Sequence, residues 1–220
     1  MVVVKSGNLF TSNAQTLVNT VNTVGVMGAG IALEHRLRMP AMYEKYQALC
    51  QAGEFKTGQL WLYKKEQPWV LNFPTKKHWK YPAKEQYLIA GLEKFVATYE
   101  RCGITSIAFP LLGADKGGID PDRSLSIMQR YLAPLEISIE IYHYDATAQD
   151  DLYESTKAWL CAHSLEQVVA VSQIKPHYLR KLYACLQDGS YTQLNQLGKV
   201  KGIGIKTLER VFALAQRDQA

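Results

Sequence analysis

Cysteine is scarce in this 220-residue chain: four in all, at positions 50, 102, 161 and 185, with no Cys-x-x-Cys pair and no histidine grouped beside them. That scatter argues against a zinc site and a disulfide framework, and it points to a reducing compartment, the cytoplasm. No metal or cofactor is expected. Missing too is any apolar run approaching the roughly 18 residues that a membrane span needs, so no membrane partner is expected. The chain opens on Val2, Val3, Val4 and Lys5, a strand-like run without the basic start and small-residue cleavage site of a secretory signal. Charge of one sign is hardly in excess. A formal +5 permits a nucleotide or nucleic-acid partner without requiring one. Apolar residues make up 47% of the chain, ample for one large domain or two unequal ones.

From residue 2 to about 145, short β-branched runs alternate with amphipathic helical stretches, the pattern of an α/β layer fold on a mainly parallel or mixed sheet. The expected strands are 2–5, 16–20, 60–64, 69–73, 104–110 and 137–143. Helices are expected over 30–38, 41–51, 84–101 and 121–132, with Pro40, Gly53 and Gly103 as punctuation. Trp61, Tyr63 and Trp69 read as core, and His35 and His143 as core or surface histidines rather than ligands.

Two glycine-rich loops stand out. Gly25-Val26-Met27-Gly28-Ala29-Gly30 lies between a strand and a helix, where several backbone N–H groups face one point and suit an anion. It lacks the Gly-Lys-Ser/Thr ending of a triphosphate loop and the spacing of the dinucleotide fingerprint. A tight structural turn is the competing reading. The second loop, Gly113-Ala114-Asp115-Lys116-Gly117-Gly118, again joins a strand to a helix. Two such loops at the carboxyl ends of strands suit a diphosphate between them.

Those loops belong to an ordered series: Gly7-Asn8-Leu9, Leu17-Val18-Asn19-Thr20-Val21-Asn22, Val26-Met27-Gly28-Ala29-Gly30-Ile31-Ala32, Asn72-Phe73-Pro74-Thr75-Lys76 and Pro110-Leu111-Leu112-Gly113. The series resembles the macrodomain family, and within it the branch of the DarG antitoxins and the terminal ADP-ribose glycohydrolases. The resemblance covers about residues 1 to 145 and implies a three-layer α/β/α fold on a mixed sheet. It further implies that Asn8 and Leu9 lie near an adenine, that Val26 to Ile31 (Val26, Met27, Gly28, Ala29, Gly30, Ile31) face the phosphates, and that Asn19, Thr20, Val21, Gly25 and Thr75 also belong to the ADP-ribose site. Gly113, Ala114, Asp115, Lys116, Gly117, Gly118 and Ile119 would form the opposing loop, with Leu112 before it also in the ADP-ribose site. Two departures stand out. Asn8 replaces the family's usual aspartate, and Gly117 replaces the catalytic aspartate of the terminal glycohydrolases, a role Asp115 cannot simply inherit.

Cleaving a glycosidic bond at the distal ribose passes through an oxocarbenium-like state, which calls for a nucleophile or water and for groups that hold the sugar. The resemblance points to Lys76 as nucleophile or electrostatic participant and to Asn22 as the residue that orients the ribose. An amine attacks only when unprotonated, so its pKa must be lowered by burial or by nearby cations, for which Lys77, His78 and Lys80 are at hand. Competing readings are a solvated lysine cluster and an asparagine that merely satisfies loop backbone. Trp79 and Tyr81, flanked by lysines, suit stacking on a base.

After Asp145 the chain turns polar and then helical, with a capping box at Ser164 and Gln167; the expected boundary falls near residue 148, giving domains 1–147 and 148–220. Shifted by 29, the tail matches itself: Leu165 with Leu194, Gln167 with Gln196, Ile174 with Ile203, Leu179 with Leu208. Residues 197 to 208 resemble a helix-hairpin-helix, with Gly202 and Gly204 in the hairpin and Lys199, Lys201, Lys206 and Thr207 around it, suited to sequence-independent DNA contacts. Gln173-Ile174-Lys175 would be a degenerate first copy, and a docking or dimerisation module is the alternative. The resulting expectation is an enzyme that removes ADP-ribose from a target, foremost a DNA base, as antitoxin to a DNA ADP-ribosyltransferase toxin. Alternatives are a deacetylase or phosphatase acting on small ADP-ribose derivatives and a non-catalytic ADP-ribose reader.

Overall fold

The computed structural model describes residues 1–217. It divides into two compact units, one of residues 1–144 and one beginning at Asp145.

The first unit runs β1 (Val2–Gly7), β2 (Thr16–Val21), α1 (Gly30–Arg38), α2 (Pro40–Gln51), β3 (Trp61–Tyr63), β4 (Trp69–Pro74), α3 (Glu85–Val96), β5 (Ser106–Pro110), α4 (Pro121–Leu132) and β6 (Ser138–Tyr144). The six strands form one mixed sheet in the order β1-β6-β5-β2-β4-β3, parallel throughout except for the β3–β4 pair. Strand alternation sends neighbouring side chains to opposite faces. Val18, Leu71, Phe73, Ile107, Phe109 and Ile139 pack with Leu88, Leu92 and Phe95 of α3 and with Ile127 and Met128 of α4. On the other face, Val21 and Val70 meet Met42 and Tyr46 of α2, while Leu17, Ala108 and Tyr142 meet Leu9 and Ile31. Helices thus cover both faces, and the fold is a three-layer α/β/α sandwich.

Local chemistry explains most element ends. Asp120 caps α4 by accepting from the Arg123 N–H at 2.9 Å, and Pro121 fills the first turn, where a missing N–H costs nothing. The helix expected to reach residue 101 ends at Val96. Thr98 is the cause: its hydroxyl takes the Lys94 carbonyl at 2.7 Å and its N–H turns to Phe95, so the chain tightens into turns as far as Gly103. Of the expected core aromatics Tyr63 is buried, whereas Trp61 and Trp69 stay half-buried.

His35 lies in the core at 1% exposure, its Nδ1 against the Ile31 carbonyl at 3.0 Å and its ring 4.7 Å from that of Phe10. Burial, helped by the Arg38 charge, depresses its pKa to about 3. The unfolded chain takes up a proton below about pH 6.5 and the folded one does not, so stability is full above that pH and falls as pH drops toward 3. Between pH 6.5 and 5 we expect a loss of up to about 1.4 kcal/mol per pH unit. Urea midpoints should record it, and His35→Leu should flatten it; an unchanged slope in that variant would assign the acid sensitivity elsewhere.

The second unit is helical: α5 (Tyr153–Ala162), α6 (Leu165–Ser172), α7 (Pro176–Asp188), a 3-10 stretch (Leu194–Lys199) and α8 (Ile205–Arg217). It starts earlier than residue 148, because the Asp145, Ala146 and Ala148 carbonyls are already taken by the Gln193 and Gln196 amides at 2.7 to 3.1 Å. An offset of 29 carries α7 onto α8 end for end and the start of α6 onto the start of the 3-10 stretch. The capping box of Ser164 and Gln167 recurs as Gln193 and Gln196. The turn residue is left-handed in both halves, Gly202 at φ 87° and Gln173 at φ 57°, the latter unique among non-glycine described residues. Braces are exchanged as well: Lys181 donates to the Lys201 carbonyl at 3.2 Å, while Arg210, 29 positions on, donates to the Gln173 carbonyl. No helix among the described residues is long and apolar enough to cross a membrane.

Candidate active site

β2, β4 and β5 run parallel and side by side, so the segments that follow them emerge along one edge of the sheet. In open α/β sheets that edge is where ligands bind. Backbone bonds tie the three segments together. Thr75 N–H donates to the Val21 carbonyl at 3.0 Å, and the Thr23 N–H and hydroxyl both donate to the Lys77 carbonyl, at 3.3 and 2.9 Å. Ala83 N–H donates to the Gly117 carbonyl at 2.9 Å, joining the segment after β4 to the second glycine loop.

The first loop is shaped by Asn22. Its Nδ2 donates to the Val26 carbonyl at 2.5 Å, and its Oδ1 accepts from the Val24 and Val26 N–H groups at 3.0 and 3.3 Å. The buried Tyr46 hydroxyl closes the set, donating to the Asn22 carbonyl at 2.7 Å. Burial raises the Tyr46 pKa far above its ordinary value, so this phenol stays a donor. Tyr43 and Gln47 reach the Gly25 carbonyl at 3.5 and 3.4 Å. Met27 is fully buried and pins the loop into the α2 core. Beyond it Gly28, Ala29 and Gly30 are exposed, and Ala29 caps α1 with no side-chain bond, leaving the first N–H groups of the helix without an intrahelical acceptor.

In the second loop Gly117 has no room for a side chain: a Cβ there would lie 2.1 Å from the Gly113 carbonyl oxygen. That oxygen accepts the Ile119 N–H at 3.0 Å, and Gly118 N–H donates to Ala114 at 3.2 Å, so the loop is held by its own backbone. The two loops are neighbours. A Cβ on Gly30 would meet Asp115 Oδ2 and Lys116 Cγ at 3.8 and 3.7 Å.

Lys76 links the parts. It is half-buried at the end of β4, and its ammonium donates to the Lys116 carbonyl of the second loop. Burial lowers its pKa and Asp115 partly opposes the shift. Of the two expected causes it is burial that acts; Lys77, His78 and Lys80 contribute nothing to the shift.

Several predicted ligand contacts lie deeper than the sequence implied. Asn19 is fully buried and donates to Asn72 Oδ1 at 2.9 Å, facing Met27 because alternate residues of β2 point toward α2. Val21, Met27, Leu112 and Ile119 are likewise buried and support the loops from below. At the end of β1, Asn8 caps a 3-10 turn, accepting the Phe10 N–H at 3.1 Å, while its buried Nδ2 has no partner. Leu9 packs in the same cluster as Ile31. Thr20, Val26, Ile31 and Ala114 are half-buried, and Asp115, Lys116 and Gly118 exposed. Sequence reasoning missed Thr23, Tyr43, Tyr46 and Gln47. The last three share one face of α2 at helical spacing, which marks an inward face without revealing what it meets.

In the second unit Lys199, Lys201, Gly202, Gly204 and Lys206 are exposed, whereas Thr207 is buried with its N–H on the Gly204 carbonyl at 3.0 Å, inside the first turn of α8. Among the described residues no group of three or more His, Cys, Asp or Glu side chains is placed to hold a metal ion.

Comparison with known proteins adds four findings. The family model described as Macro domain matches residues 18–128. A DNA ADP-ribosyl glycohydrolase of Thermus aquaticus is 38% identical over 143 residues, which are 63% of this chain but 39% of that protein, so the chain spans about two fifths of that curated relative's length. Among solved structures, the macrodomain of Mycobacterium tuberculosis DarG matches with TM-score 0.63 at 37% identity, covering 64% of this chain and 97% of that one. Thermosipho africanus DarTG in complex with ADP-ribose matches with TM-score 0.62 at 35% identity, covering 66% of this chain and 41% of that one.

Proposed function

This chain belongs to the macrodomain family, and from that premise we propose that it is an ADP-ribosyl glycohydrolase that releases ADP-ribose from a DNA base, serving as antitoxin to a DNA ADP-ribosyltransferase. The observation that carries this reading is the convergence of a half-buried lysine with two neighbouring glycine loops, Lys76 bonded to the backbone of the second. The names of the relatives support it: DNA ADP-ribosyl glycohydrolase in Thermus aquaticus, and in Thermosipho africanus a transferase and glycohydrolase fused in one chain.

In this reading the uncapped N–H groups at the start of α1 take the diphosphate, since they carry partial positive charge and cost no reorganisation. The second loop closes over it. The unpartnered Asn8 amide donates to the adenine beside Leu9. Asn22 serves as a positioning residue, because its amide is spent on the loop that holds the distal ribose. Lys76 stands at the anomeric carbon. As a nucleophile its neutral amine forms the N–C bond while the glycosidic bond breaks; the electron pair leaves on the base, which takes up the proton that the attacking amine sheds. One water then adds to the same carbon, its proton returning to the lysine nitrogen as ADP-ribose is freed. As an ammonium it would instead offset the negative charge that builds on the departing base. We place the chain in the cytoplasm, in keeping with its four free cysteines.

ADP-ribosylated single-stranded DNA incubated with the wild-type chain is expected to lose its ADP-ribose, read as free ADP-ribose by chromatography. An intact modified strand, with ADP-ribose still bound by the protein, would establish a reader instead.

The second unit contributes nucleic-acid contacts through the Gly202-Ile203-Gly204 turn and its exposed lysines. The first copy is poorer in donors, for Pro176 stands where α8 has Ile205 and supplies no N–H. Changing Lys199, Lys201 and Lys206 to Gln is expected to weaken duplex binding and to reduce the slope of log affinity against log salt by about 0.9 for each phosphate that is no longer neutralised. Unchanged affinity and slope would favour a docking module.

A further inference from the structure

The residues that follow Lys76 and Lys77, His78-Trp79-Lys80-Tyr81, form a tight turn in which the Tyr81 N–H donates to the His78 carbonyl at 3.2 Å and the Lys80 N–H to His78 Nδ1 at 3.2 Å. The His78 ring is the prop of this turn. Trp79 stacks on it at 5.5 Å and 24°, Tyr81 tilts against it at 5.6 Å, and the Lys80 ammonium sits 5.2 Å from the Trp79 ring. Both large rings nevertheless face solvent, Trp79 at 49% and Tyr81 at 66% exposure. Single exposed apolar residues need no explanation, but two aromatic rings shelved on a third and topped by a lysine make an organised surface.

The turn is also anchored. Its leading root, the Lys77 carbonyl, is held by Thr23 beside the first loop, and its trailing root, Ala83, is held by Gly117 of the second. Its rings therefore stand at a fixed offset from Lys76 and from whatever is bonded to the ribose there. Residues 76 to 84 contain four lysines and no acidic residue. Aromatic faces flanked by cations fit one chemistry well: bases of a single strand stack on the rings whatever their identity, and the phosphates between them meet the lysines. A polypeptide bearing ADP-ribose on a carboxylate or hydroxyl offers no such run of rings and phosphates.

We propose that Trp79 and Tyr81 are a stacking platform for the nucleotide beside the ADP-ribosylated one, so that the chain acts on the modification within a single strand in preference to a modified mononucleoside. This rests on the glycohydrolase reading and names the two residues of that same site that hold the neighbouring nucleotide. The test compares kcat/KM on an ADP-ribosylated single-stranded oligonucleotide and on the matching ADP-ribosylated nucleoside. Trp79→Ala with Tyr81→Ala is expected to lower the oligonucleotide value about tenfold or more and the nucleoside value less than about twofold, with free ADP-ribose affinity unchanged. Trp79→Phe with Tyr81→Phe, which keeps two π faces, should restore most of the loss. Equal losses on both substrates, no loss on either, or no recovery with phenylalanine would overturn the platform while leaving the glycohydrolase standing. Release from neither substrate by wild type would overturn the glycohydrolase reading itself, and the platform with it.

Discussion

Lys76→Ala is expected to lower release of ADP-ribose from a modified single strand by roughly 10²–10³-fold while changing free ADP-ribose affinity by less than about threefold. The lysine lies between the loops that would hold the ligand, yet the backbone groups assigned to the diphosphate belong to other residues, so binding and chemistry should separate. Its titration supplies a second readout. Burial disfavours the ammonium, so the amine loses its proton below the ordinary lysine pKa of 10.5. If the neutral amine attacks, kcat rises with pH through that lowered value and then levels. Asp115 pulls in the other direction, so Asp115→Asn should move the inflexion to lower pH. Lys76→Arg, which stays protonated, should be as inactive as the alanine variant. A rate that instead falls as pH rises would assign the ammonium an electrostatic role, and a wild-type rate in Lys76→Ala would place the chemistry elsewhere.

Gly117→Asp, which installs the residue type found there in the terminal ADP-ribose glycohydrolases, should fail to create a second catalytic group and should cost the chain its ligand. We expect ADP-ribose affinity to fall by about tenfold or more, with no gain in hydrolysis and a thermal midpoint several degrees lower. The reason is steric. Any Cβ at this position meets the Gly113 carbonyl oxygen at 2.1 Å, and that oxygen cannot retreat without releasing the Ile119 N–H. Calorimetric titration with ADP-ribose and a melting curve check both halves; wild-type affinity would mean that the loop can adopt a second path. The loop backbone of this chain thus has room for glycine alone at position 117.

Much of the fold was legible because it is encoded locally. The strands at 2, 16 and 69, and the helices over 30–38 and 121–132, follow from hydrophobic period, proline and capping chemistry. Where a side chain turned back on its own backbone, as Thr98 does, the expected helix came out short. The 29-residue offset was visible from a few apolar matches, but its strength lies in the shared left-handed turn and the exchange of Lys181 and Arg210 between halves, which no single-residue pattern displays.

The site divides along the same line. From the sequence alone came the two glycine loops, the Asn22 and Lys76 pair and the family resemblance, since each is a short contiguous motif. Tertiary structure decided what those residues do with their polar atoms. It committed the Asn22 amide to its own loop and buried Asn19 beneath it. It brought Lys76 to a carbonyl forty positions away and lowered its pKa by desolvation rather than by the lysines beside it in sequence. Hydrogen-bond partners and dielectric surroundings are set by segments that meet only on folding, whereas periodicity and turn chemistry act between residues a few positions apart.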